Sequence, residues 1–92
     1  MVNNMNIAYK QKNNKNLIII DKKSITEYEK NNKNCSININ ELTEFLEKIS
    51  FENFELGDKL FYSSFSETQF YNFKITNYNK DDLLNVIVLE II

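Results

Sequence analysis

The sequence predicts a small single-domain α+β fold: one main amphipathic helix packed on an antiparallel sheet, with a three-stranded meander at the C-terminus. Three observations carry this. Leu42, Phe45, Leu46 and Ile49 recur at spacings of three and four, which places them on one face of a helix. Tyr71, Phe73 and Ile75 alternate with Asn72, Lys74 and Thr76, the period of a half-buried strand. The 92 residues show no internal repeat and no linker rich in Pro, Gly or Ser, so residues 1–92 read as a single domain.

Taken in chain order, residues 6–10 and 17–21 are candidate strands. Ile18, Ile19 and Ile20 are β-branched in succession, which suits a pleated, buried setting. An Asn- and Lys-rich loop at 11–16 joins the two as a hairpin. Residues 24–30 fit a helical turn or a short strand equally, and 30–34 is a loop. The helix spans 39–50, with Asn38 or Asn40 as its N-cap. With Asn38 as the cap, Glu41 stands where a capping-box acid belongs, and Ile37 faces Leu42 as a hydrophobic staple. Gly57 is the only glycine, and its retention points to positive φ in a turn that leads into a strand. The meander follows over 59–65, 69–76 and 83–91. Its last strand is apolar on nearly both faces, which fits a central position or a covered one. The helical stripe is expected to pack on the dry face around Tyr71, Phe73 and Ile75.

The composition narrows the chemistry. Histidine, arginine, proline and tryptophan are absent, and Asn, Ile and Lys are over-used, as in an AT-rich genome. Without histidine there is no Ser-His or Cys-His nucleophile arrangement. Ser63, Ser64 and Ser66 have no nucleophile elbow around them. The single Cys35 cannot form an internal disulfide or a zinc site, and reads as a small core residue. One glycine cannot build a phosphate-binding loop, and without arginine there is no bidentate phosphate clamp. The chain is therefore expected to be non-catalytic, with no metal and no cofactor. The first six residues do not resemble a signal peptide, the apolar runs are far too short to span a bilayer, and cysteine is scarce, so a cytoplasmic protein without membrane attachment is predicted. The sequon Asn34-Cys35-Ser36 then carries no glycan.

Charge is unevenly distributed. Residues 1–40 hold seven lysines against Asp21, Glu27 and Glu29, whereas residues 41–92 hold four lysines against ten carboxylates. Six of those acids, Glu41, Glu44, Glu47, Glu52, Glu55 and Asp58, follow one another along the helix and its exit. With the apolar stripe turned inward, Glu41, Glu44 and Glu47 are expected to point outward as a docking surface for a basic protein partner, such as a nuclease. The profile suits an inhibitor or neutraliser of a macromolecule: a toxin-immunity protein, an antitoxin or a phage anti-defence protein of the anti-CRISPR kind. An alternative is a homo-oligomerising structural or assembly protein that forms a weak homodimer through a sheet edge or the terminal strand. A further alternative is a nucleic-acid-binding module using Lys10, Lys12, Lys15, Lys22 and Lys23. The aromatics at 70–75 loosely suggest a base-stacking platform, but the acidic half that contains them is unfavourable for a phosphate backbone.

Overall fold

A computed structural model describes residues 5–33 and 35–92; Asn34 of the sequon and the first four residues lie outside the described part. Two helices pack on one face of a five-stranded mixed sheet. The elements are β1 (Ile7–Lys10), β2 (Asn16–Ile20), α1 (Lys22–Asn31), α2 (Ile39–Glu47), β3 (Lys59–Ser63), β4 (Phe70–Asn79) and β5 (Asn85–Ile91). The strand order is β1-β2-β5-β4-β3. All neighbours are antiparallel except β2 and β5, which run parallel.

The predicted hairpin is present, with Tyr9 opposite Ile18 and Ala8 opposite Ile19. The predicted meander is present too, with β4 running on to Asn79 past a bulge between Ile75 and Asn77. The sheet departs from the all-antiparallel expectation at one pairing. The excursion through both helices, β3 and β4 returns the chain so that β5 slots beside β2 in parallel register, Ile18 opposite Ile87 and Ile20 opposite Leu89. That explains the apolar terminal strand: β5 is the middle strand of the sheet. Of the two expected routes to a homodimer it removes pairing along the terminal strand, because β5 is hydrogen-bonded on both sides and has no free edge. Among the described strands only β1 and β3 are edges.

Residues 24–30, ambiguous in the sequence, belong to α1. Asp21 caps this helix by accepting from Lys23 N, and Ser24 Oγ donates to Asp21 O at 2.7 Å. Ser24 Oγ also accepts from Ile91 N at 3.1 Å, which ties the helix to the central strand. Asn38 caps α2 as predicted, accepting from Asn40 N and Glu41 N. The core joins Ile25, Leu42, Leu46 and Phe51 to the strand residues Ile18, Ile20, Leu60, Tyr62, Tyr71, Phe73, Ile75, Ile87 and Leu89. Of the helical stripe, Leu42 and Leu46 are fully buried, whereas Phe45 and Ile49 are half-buried. Phe45 sets its ring edge-on to Tyr62, with centroids 5.2 Å apart. Gly57 has φ of 91°, and an added Cβ would meet nothing within 4 Å. Glycine is needed there by the backbone and not by lack of room.

The opposite face of the sheet carries Ala8 and Lys10, Leu17 and Ile19, Val86, Val88 and Glu90, Asn72 and Lys74, and Lys59 and Phe61, by strict alternation with the buried set. No described helix lies on it.

Candidate functional site

The six carboxylates proposed as a docking surface divide into two groups. Glu44 stands exposed on the outer side of α2, as the spacing of Leu42 and Leu46 requires. Glu52 and Glu55 are exposed on the segment that leaves the helix. Glu41 and Glu47 do not point freely outward: both are half-buried and hydrogen-bonded within the chain. A helical wheel shows which side of a helix a residue occupies, but not which loops reach over that side. Glu41 does not close a capping box. Its Oε1 accepts from Phe65 N in the β3–β4 connection, and its charge acts on the Tyr62 phenol. Glu47 accepts from the Tyr9 hydroxyl and, at 3.1 Å, from Lys12 N, so it fastens the β1–β2 hairpin to the end of α2. Asp58 Oδ2 accepts from Glu55 N at 2.9 Å and closes the turn before β3. The candidate surface therefore retains Glu44, Glu52 and Glu55 as free carboxylates, while Glu41, Glu47 and Asp58 serve the fold.

The phenols record these contacts. The hydrogen bond to Glu47, then burial, push Tyr9 up to about 12. Burial, then the charge and hydrogen bond of Glu41, push Tyr62 up to about 12. Each phenol stays protonated at neutral pH, and that of Tyr9 donates to its carboxylate. Glu52 borders a shallow depression of about 390 Å³ with Lys15, Tyr78, Lys80, Asp81, Asp82 and Asn85. Lys80 lies over the Tyr78 ring at 5.0 Å, and Lys15 Nζ donates to the carbonyls of Asp81 and Asp82. Two of the cations near Glu52 are thus already engaged.

Phe51 and Phe54, which flank Glu52 on the exit of the helix, go to the core side. Phe51 is buried, and Phe54 packs edge-on against it at 5.5 Å. Cys35 is half-buried, and burial followed by the Glu29 charge pushes its thiol up, away from the thiolate form. Among the described residues no group of three or more His, Cys, Asp or Glu is placed to hold a metal ion, and no helix is long and apolar enough to cross a membrane.

One exposed aromatic, Phe61, escaped the sequence reading, whereas its stacking partner Phe70 opens the 70–75 segment singled out there. Phe61 and Phe70 are 59 % and 52 % exposed, and their rings stack diagonally across β3 and β4 at 5.9 Å and 17°. The signal was present: Leu60 and Tyr62 flank Phe61, so if they face inward, Phe61 must face outward. Tyr71 and Phe73, by contrast, are core residues, so only the first ring of the 70–75 segment is available to stack on anything. No family model matches the chain, and no curated protein or solved structure matches it.

Proposed function

We propose that this chain is a small non-catalytic binding protein that neutralises a basic macromolecular partner, in the manner of a toxin-immunity protein, an antitoxin or an anti-CRISPR-type inhibitor, through the acidic surface of α2 and its exit. The observation that carries the reading is the exposure of Glu44, Glu52 and Glu55, whose carboxylates have no hydrogen-bonded partner among the described residues, in the acid-rich half of the chain. Fixed carboxylates on a rigid helix and its exit accelerate encounter with a cationic surface, and salt weakens that steering. Glu41, Glu47 and Asp58 support the surface by anchoring both ends of α2 and the turn after it. The partner is identified by co-purification from the native cell, and association is then timed by stopped flow at low salt. Replacing Glu44, Glu52 and Glu55 together by Lys leaves the fold intact and slows association by about tenfold. An association rate unchanged by the triple reversal at low salt overturns the reading.

A further inference from the structure

The bare face of the sheet is a second candidate contact surface, on the side away from α2. Leu17 and Ile19 on β2 stand in register with Val86 and Val88 on β5, forming a two-by-two aliphatic block at the middle of the face. Towards β3 lie the stacked Phe61 and Phe70. Beside them Ile92, 48 % exposed, donates its N–H to Asn72 O at 3.0 Å. Charges lie around and between these groups. Lys59 and Lys74 are directly opposite each other, Lys74 is opposite Glu90, and Lys10 is at the far corner beside Leu17.

We propose that this face is a protein-docking surface, fitted to a partner protein that presents apolar side chains with carboxylates among them. Charge selects that partner. The face holds three lysines against one glutamate, although the chain as a whole carries a net charge of −2. Two lysines directly opposite on one sheet face repel each other, and carboxylates from a partner relieve that repulsion. A second copy laid face to face would bring the same three lysines, so its charge is wrong. A single-stranded nucleic acid would find a flat π surface only at Phe61 and Phe70, while the aliphatic block offers nothing for a base to stack on. The aliphatic block and the exposed aromatics offer apolar contact on either side of the Lys59–Lys74–Glu90 row, and a protein surface supplies both apolar and charged groups. The size is sufficient: five strands about 4.8 Å apart and roughly six residues long, at about 3.3 Å each, give a face of roughly 500 Å² in projection. Counted on both partners and with side-chain relief, this approaches the roughly 1,200–2,000 Å² of specific interfaces.

The surface is independent of the acidic one, and a single experiment separates them. p-Benzoylphenylalanine is placed at position 61, at position 44, or at the exposed control position 23, and the native cells are irradiated. The expected result is a cross-link from position 61 to one protein, at a peptide in which Asp or Glu flanks apolar residues. Val88→Lys, checked for an unchanged circular dichroism spectrum, lowers the yield by about tenfold, the effect of losing about 1.4 kcal/mol of binding. Lys74→Glu, which reverses a charge and leaves the aliphatic block intact, also lowers it and serves if Val88→Lys does not fold. Cross-linking of position 61 to nucleic acid or to a second copy overturns the proposal, as does a yield equal to that at position 23 or a yield indifferent to both variants. A cross-link from position 44 alone supports the acidic-surface reading and overturns this one.

Discussion

Gln11 offers the sharpest test of how the two layers are joined. It sits in the loop between β1 and β2, yet is only 3 % exposed. Its Nε2 donates to Leu46 O at 2.8 Å and to Ile49 O at 2.9 Å, carbonyls at the C-terminal end of α2. Carbonyls at a helix C-terminus have no intrahelical donor, so the glutamine supplies a cap from a distant loop. Its Oε1 accepts from Asn16 Nδ2 at 2.9 Å, and Asn16 Oδ1 accepts from Asn85 Nδ2 at 3.0 Å. One amide chain thus links helix, hairpin and central strand. Gln11→Met keeps most of the volume and removes all three hydrogen bonds made by the side chain. Leu46 O still accepts from Ile49 N, which leaves Ile49 O and the Asn16 amide unpaired. At about 1–3 kcal/mol for each buried group left unpaired, the two together cost about 2–6 kcal/mol. At roughly 4–8 °C per kcal/mol for a domain of this size, Tm falls by at least roughly 10 °C. Urea titration followed by circular dichroism at 222 nm measures the loss. An Asn16→Ala double-mutant cycle should show a coupling above about 0.5 kcal/mol. A loss below about 0.5 kcal/mol, or additivity of the two variants, would refute the amide chain as a structural link.

The protein should lose stability above pH 10. All five tyrosines, Tyr9, Tyr28, Tyr62, Tyr71 and Tyr78, have phenols raised above the usual 10, mainly by burial and for Tyr9 mainly by Glu47. A folded-state value above the unfolded one means that this stabilisation is complete below pH 10 and is lost as pH rises through about 12 for Tyr9 and Tyr62. Absorbance at 295 nm should therefore titrate late and cooperatively, and five independent titrations near pH 10 would contradict the structure. Tyr9→Phe should flatten the fall in stability above pH 10, measured by urea titration at pH 9 and pH 11. Gly57→Ala should cost about 1–2 kcal/mol through its left-handed backbone, with Gly57→Asn milder; equal effects in thermal melts would count against a backbone cause. Phe73→Ala should cost about 3–5 kcal/mol as a full core truncation. Phe45→Ala, half-buried, should cost roughly half as much, and the reverse order in denaturant titrations would misplace the core.

Local elements were legible in the sequence because their signals are local. Asn38 and the Leu42–Leu46 spacing define α2, and the alternation from Tyr71 to Thr76 defines β4. Gly57 marked its turn because few other residues tolerate that backbone. The parallel pairing of β2 with β5 could not be read, since it joins residues almost seventy positions apart. Runs such as Ile18, Ile19 and Ile20 are apolar on both sides and do not say which side the helices cover. Helix α1 was ambiguous because only Ser24 and Ile25 of its ten residues are buried. Half of the candidate site was misjudged for a related reason. Glu41 and Glu47 face outward on α2 by spacing alone, but Phe65 N, the Tyr62 hydroxyl, the Tyr9 hydroxyl and Lys12 N come from loops and strands distant in sequence. Gln11 looked like a loop residue because its partners, Leu46 and Ile49, lie thirty-five or more positions away.

The central structural claim is a sheet whose described helices lie on one side only, with β5 in its middle. Methyl relaxation in the presence of a soluble paramagnetic agent tests it directly, residue by residue along β2 and β5. The account predicts strong enhancement at Leu17, Ile19, Val86 and Val88, and almost none at Ile18, Ile20, Ile87 and Leu89 in the dilute, unbound protein. Equal protection of both sets would contradict it, because the second face would then be covered and could not be free to dock a partner.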